Sequence, residues 1–308
     1  MRALVTGGAG FIGSTLVDRL LAEGHAVDIV DDLSKGRLVN LADARADRSA
    51  ELKIHQVDIR SPEVAELIGR RKPEVVFHLA ATSERDPAAD AVVNIVGSVY
   101  VLEGARLAGS RKVVFAAGAS VYGEPDPDAL PVRESHPHKP ISAHGVAKKV
   151  VVDYLQLYRE RHDLEFTALA LGTVYGPRQA SNSGVVAAFA EALLNGLPVV
   201  VRGDGSQTRD FVYVDDVVDA LVRAADRGTG LLLNVGRGIE TPVRRVLATM
   251  AEAVGVEVSP QKGERGPGEV DRMALDPSRA KIHLGWEPWT SLEQGIAQVL
   301  EFKSTRPS

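Results

Sequence analysis

Residues 6–13 read TGGAGFIG, between the short aliphatic run Ala3-Leu4-Val5 and a helix-length segment from Phe11 to Glu23. Three glycines spaced by three residues at a strand-to-helix turn each have a physical task. Gly7 permits the tight turn, Gly10 lets the backbone approach a pyrophosphate, and Gly13 lets the helix pack close to the strand. The unpaired N–H groups of the first helical turn, at Phe11 and Ile12, then face an anion. This constrains the N-terminal part to a βαβ unit with a phosphate-binding turn.

The rest of the first 172 residues keeps that rhythm. Strand-like runs at Ala26–Val30, Leu52–Gln56, Val75–Phe77, Val113–Phe115 and Phe166–Leu171 are mostly continuous and apolar, as strands covered on both faces are. Helix-length segments lie between them at 62–70, 88–107 and 144–161. The alternation predicts an α/β fold: a Rossmann-type, doubly wound parallel sheet. Beyond residue 172 Gly/Pro-punctuated loops separate helical segments at 183–195, 215–226, 241–254 and 288–303. The expected division is a cofactor-binding domain over 1–172, to which 214–235 returns. A smaller mixed α/β substrate domain takes 173–213 and 236–308.

Composition narrows the chemistry. The chain has 308 residues and no Cys, which excludes thiolate nucleophiles, disulfides and Cys-ligated metal sites. With 36 basic and 41 acidic side chains, the net charge of −5 offers no basic face for nucleic acid. His136 and His138 are two residues apart in a Pro-rich loop, and no metal site is expected. The mixed charges of 33–49 read as an exposed helix. No run approaches the roughly 18 uncharged apolar residues of a membrane span, and the N-terminus enters a strand directly, so a soluble, cytoplasmic protein without membrane contact is expected.

The second strand ends on Asp31-Asp32. A carboxylate there accepts hydrogen bonds from adenosine ribose hydroxyls and repels a 2′-phosphate, which points to NAD over NADP. Ser34 and Gly36 follow on the same loop. Asp58, before Ile59 in QVDIR, stands where an adenine amino group is read or where the helix after Pro62 is capped.

With these residues in place the chain resembles the NAD-dependent epimerase/dehydratase family of extended short-chain dehydrogenase/reductases. The resemblance rests on TGGAGFIG, DDLSKGR (31–37), HLAA (78–81), VYGE (121–124), GTVYGPRQ (172–179), GDGSQTRDFVYVDDVV (203–218) and LGWEP (284–288), in the family's order. It implies bound NAD and a UDP- or TDP-sugar oxidised transiently at a ring carbon. It further implies a homodimer through the helices at 88–107 and 144–161. Leu79, Ala80 and Ala81 would line the nicotinamide side, with Asn94 bracing the adjacent helix at the cofactor site. Thr82, Ser120, Thr173, Gln207, Arg209 and Arg265 would serve the substrate, the two arginines gripping its diphosphate.

The family's proton-handling Tyr and Lys fall at i and i+4, supported by a Ser or Thr. Here the matching stretch reads SAHGVAKK (142–149): Lys148 is present, His144 holds the tyrosine position, and Gly118 holds that of the serine. Elimination chemistry is not expected, because Ala119-Ser120 replaces the dehydratases' Asp-Glu pair. The stretch TSERDPAADAVV (82–93) is shorter than the family's usual pocket wall. Three readings stay open at this stage. His144 is the acid/base with Lys148 beside it; or the chain binds its ligands without turnover; or Thr82, Ser83, Glu84, Ser120 or Tyr122 handles the proton.

Overall fold

The computed structural model describes residues 1–83, 86–266 and 268–305. Seven parallel strands form the central sheet: β1 (Arg2–Thr6), β2 (Ala26–Asp31), β3 (Leu52–Gln56), β4 (Val75–His78), β5 (Lys112–Ala116), β6 (Glu165–Leu171) and β11 (Leu231–Val235). Their order is β11-β6-β5-β4-β1-β2-β3, so the winding reverses between β1 and β4. A ligand cleft is expected at the carboxyl ends of the strands at that switch point.

Alternate residues of each strand feed two apolar cores. Ala3 and Val5 of β1 join one, with α1 (Phe11–Ala22), while Leu4 joins the other, with α3 (Glu63–Arg71). On the α3 side α5 (Ser98–Ala108) and α6 (Ala143–His162) complete the layer through Leu102 and Leu155. On the α1 side α8 (Val214–Ala224) packs on α1 and leads into β11, so 214–235 lies with the central sheet. The same core runs on into α7 (Val185–Leu194), α9 (Val243–Val254) and α11 (Leu292–Thr305) through Phe189, Val246 and Ile296. The second part of the chain is thus fused to the first by continuous burial. Its strands are short: β7 (Thr173–Tyr175) pairs with β10 (Phe211–Tyr213), and β9 (Thr208–Arg209) with β12 (Thr241–Pro242).

Two helical expectations change. The segment 33–49 is not one helix but a 3₁₀ turn, Leu38–Leu41, followed by the short α2 (Ala42–Ala46). The helix expected at 88–107 runs from α4 (Pro87–Ala91) into α5 through a π-helical stretch, Val92–Gly97. This wider turn carries Asn94 inward, where its side chain bonds both main-chain groups of Thr82 at 2.9 and 2.8 Å. By length and composition alone the run Pro87–Ala108 would pass as a membrane span, which counting uncharged residues did not register. In this fold its Asp90 is 1% exposed and accepts a hydrogen bond from Asn94, and α5 packs on α3 and α6.

Candidate active site

A cavity of about 870 Å³ opens at the switch point, lined by the glycine turn, the loop after β2, the ends of β3 and β4, Ala116, His144 and Val174. The turn has room for backbone only. Gly7 has φ +69°, and a Cβ there would lie 2.9 Å from Ala80 Cα; one on Gly13 would lie 2.1 Å from Gly7 O. Gly10, Phe11 and Ile12 complete this wall, and Leu79, Ala80 and Ala81 line the cavity beside it.

Asp31 ends β2 at the cavity edge, 6% exposed. Its two oxygens accept the N–H groups of Ala9 and Leu33 at 2.9 Å each, which aims the carboxylate and leaves each oxygen a further lone pair. Burial raises its carboxyl above the ordinary value. Gly36 is required beside it, since a Cβ would fall 2.6 and 2.7 Å from the two oxygens. Asp32 is turned to its own loop, accepting Ser34 N and Oγ at 2.9 and 2.6 Å. Asp58 and Ile59 also line the cavity, and the Arg60 guanidinium holds the Asp58 carboxyl below its usual range. A glycine cradle with an aimed carboxylate one strand away fits a dinucleotide: Gly7, Gly10 and Gly13 for the diphosphate, Asp31 for the ribose.

At the other end stands His144, in the first turn of α6. Ser142 caps this helix by accepting Gly145 N at 3.1 Å. His144 Nδ1 lies 2.8 Å from Thr82 O. A carbonyl only accepts, so Nδ1 carries the hydrogen and Nε2 the lone pair. Burial, then the charge of Lys148, hold His144 below the ordinary histidine value. Lys148 itself is 5% exposed, donates to Ala116 O at 2.8 Å and lies 4.7 Å from the Phe115 ring centroid. Burial lowers it to about 8.

Gly118 is more than a missing hydroxyl. Its φ of +111° with ψ 152° is a backbone that residues with a Cβ rarely adopt. Ser120 follows on a 3₁₀ turn against α6, close enough that a Cβ on Gly145 would fall 2.5 Å from Ser120 O. Tyr122 is removed from the proton candidates: it is fully buried, donates to Asn234 Oδ1 at 2.6 Å, and burial raises its phenol. Thr82 and Ser83 line the cavity, whereas Glu84 lies outside the described residues.

The remaining expected residues separate into two groups. Asn94 and Lys148 do not line the cavity; they act from behind its wall, on Thr82 and Ala116. Arg265 and Gln207 lie beside Gly203 in the C-terminal part, and Arg209 stands on β9 within the field of the Arg265 charge. Arg209 is half-buried on β9, and its guanidinium donates to Thr208 O at 2.8 Å. Among the described residues no ion pair includes it, although Asp204 and Asp210 flank it in sequence. Asp204 instead caps Ser206, and buried Asp210 accepts from Arg237, Gly238 and Leu275. Arg265 is exposed and paired with Asp271. The segment around it reaches α6: a Cβ on Gly268 would touch Ile141 O at 3.0 Å, just before the helix that carries His144. Thr173 is on β7, its N–H bonded to Asp210 O, and lines neither group.

A profile of the NAD dependent epimerase/dehydratase family matches residues 3–236. The chain belongs to this family. Its cofactor is NAD, in keeping with the cradle just described. A UDP-glucose 4-epimerase of Mycolicibacterium smegmatis is 48% identical over 311 residues, covering 98% of both chains. Among solved structures, the UDP-glucose 4-epimerase of Thermotoga maritima with UDP-glucose is 38% identical. It superposes with a TM-score of 0.93 over 99% of both chains. The UDP-glucose 4-epimerase of Thermus thermophilus with NAD is 36% identical, with a TM-score of 0.91 over 98% of both.

Within this epimerase/dehydratase frame the sequence reading passed over several groups. Lys35 lines the cavity between Ser34 and Gly36 and donates to Thr82 Oγ1 at 2.7 Å. Gln179, 8% exposed, also lines it, with Oε1 unpartnered among the described residues and Nε2 bonded to Val174 O. It stands inside the GTVYGPRQ motif, the one signal that singled it out. His78 is fully buried between Thr6 Oγ1 and Ser98 Oγ at 2.7 and 2.8 Å, and burial lowers it to about 3. It is therefore a neutral ring that ties the end of β1 to α5 behind the cavity-lining Leu79 and Ala80.

Proposed function

We propose that the chain is an NAD-dependent UDP-sugar 4-epimerase in which His144 takes the place of the family's tyrosine as acid and base. The carrying observation is the tether of His144: with Nδ1–H on Thr82 O at 2.8 Å, the basic Nε2 belongs to the cavity the ring lines. Burial and Lys148 keep that imidazole neutral at pH 7, ready to take a proton. When bound, NAD supplies a two-electron acceptor that is regenerated within each cycle. Nε2 takes the sugar hydroxyl proton and returns it. Lys148, held by Ala116 O, keeps the charge that favours the neutral ring. Arg209 and Arg265 hold the sugar nucleotide's diphosphate at the entrance to α6. UDP-glucose is the first substrate to try, because the relatives named above are UDP-glucose 4-epimerases.

Incubating the NAD-loaded chain with UDP-glucose and following the sugar by NMR tests this. Accumulation of the C4 epimer, lost in His144→Ala, supports it, while full turnover in both His144→Ala and His144→Phe removes the imidazole from the chemistry. The absence of both expected hydroxyls, at 118 and 144, favours a second reading: a protein that binds NAD and a nucleotide sugar without turnover. No product across a panel of UDP- and TDP-sugars, with binding retained, selects it.

A homodimer in the cytoplasm, and 173–213 with 236–308 as the sugar-binding domain, belong to the same reading. Val92, Val96 and Leu107 on the 87–108 run, and Val146 and Leu157 on α6, are exposed apolar side chains on neighbouring elements. A second copy covering them would account for the apolarity of that run without a membrane.

A further inference from the structure

Lys35 and Thr82 stand on opposite lips of the cofactor cavity, on the loops that follow β2 and β4 with β1 between them. The ammonium of Lys35 donates to Thr82 Oγ1 at 2.7 Å, a side-chain bridge between residues 47 apart in sequence. Both ends are fixed. On the first lip, Asp31 and Asp32 accept the N–H groups of Leu33 and Ser34, while Arg37 N and Asn40 Nδ2 bond Ala9 O. The Lys35 loop is thereby pinned to the glycine turn itself. On the second lip, the main chain of Thr82 is held by Asn94 and His144. Two fixed posts joined by one flexible side chain make a clasp, and its cation lies at Thr82 on the wall of the cavity that the glycine turn also lines.

We propose that Lys35 is a cofactor-retaining residue: its bridge to Thr82 Oγ1 closes the cleft over bound NAD, and NAD leaves only when this bridge opens. The inference rests on NAD occupying this cavity. It also accounts for a lysine at this place on the loop: its four-carbon stem spans a gap that Ser34 could not.

The test is the release of radiolabelled NAD from the loaded protein during a chase with unlabelled NAD. It compares wild type, Lys35→Met, Thr82→Val and the double variant. Each single change is expected to speed release roughly fivefold, with the double no faster than the faster single, because both remove one bridge. Thr82→Ser keeps the hydroxyl and is expected to release NAD at the wild-type rate, while Thr82→Ala, which also lacks the hydroxyl, stands in if Thr82→Val does not fold. Wild-type release in Thr82→Val, fast release in Thr82→Ser, or multiplied effects in the double variant overturn the clasp. Wild-type protein that retains no NAD at all overturns the clasp and the cofactor site together. NAD retention with any of the other adverse results overturns the clasp alone.

Discussion

His144 donates Nδ1–H to the main-chain carbonyl of Thr82 at 2.8 Å, and the same carbonyl accepts Asn94 Nδ2 at 2.8 Å. Both the tautomer and the aim of the imidazole therefore depend on the loop after β4, which also forms a lip of the cavity.

The pH dependence of turnover follows from the groups around that ring. Burial and the Lys148 charge hold His144 below 6.5, so the base is lost only as pH falls through a value lower than that. Lys148 loses its proton as pH rises through about 8. Log kcat/KM against pH is expected to rise with a midpoint below pH 6.5 and to fall above about 8. A rising limb centred above pH 7 would falsify the assignment of His144 as the base.

Lys148 is costly to the fold. Its side chain is charged and buried at pH 7, with a folded value near 8 against 10.5 when exposed. The unfolded chain binds more protons between these values, so stability rises with pH from about 8 to 10.5. The group costs up to about 3 kcal/mol below that window. Lys148→Met removes that cost and loses the bond to Ala116 O, for a net gain of about 1–2 kcal/mol at pH 7. Urea unfolding at pH 7 and 9.5 is expected to show the gain shrinking at the higher pH. Turnover of the same variant is expected to fall at least tenfold.

How far the sequence was legible depended on the distance over which each feature is determined. The strands were readable to within a residue or two, because Val75-Val76-Phe77 and Val113-Val114-Phe115 are apolar on both faces wherever a covered parallel sheet places them. The π turn at 92–97 was not, since the local pattern is that of a straight helix and the widening serves Asn94 and Thr82, 12 residues apart. Asp31 and the glycines announced themselves through spacing. Lys35 did not, because a lysine between Ser34 and Gly36 reads as a solvated charge until Thr82, 47 residues on, is seen beside it.

Restoring the lost hydroxyl at 118 is not a neutral change. Gly118→Ser places a Cβ on a backbone at φ +111°, which costs about 1–3 kcal/mol unless the turn rearranges. The Tm is expected to fall by several degrees. His144→Tyr alone is expected to be milder in stability, because position 144 is helical. An unchanged Tm in Gly118→Ser means that the turn has another accessible conformation.

The apolar faces at Val96 and Leu157 give a prediction on assembly. Val96→Asp, at a position 42% exposed in the single chain, is expected to leave a folded monomer if a second copy covers this face. Sedimentation velocity separates the outcomes: a wild-type monomer, or a dimer unaffected by the change, places the interface elsewhere or removes it.

Arg209 should report the diphosphate directly. Among the described residues this half-buried guanidinium has no direct carboxylate partner, and burial lowers its proton affinity although the charges of Glu269, Glu124 and Asp271 offset part of that effect. An anion arriving there gains a charge-assisted, two-pronged contact. Arg209→Met is expected to weaken UDP binding by roughly 10- to 100-fold in calorimetry, with NAD binding unchanged because Arg209 does not line the NAD cavity. Arg209→Lys is expected to recover only part of the loss, since an ammonium cannot meet two phosphate oxygens in one plane. Equal UDP affinity in wild type and Arg209→Met would move the diphosphate away from this arginine. Arg265, exposed and paired with Asp271, would then be the next residue to substitute.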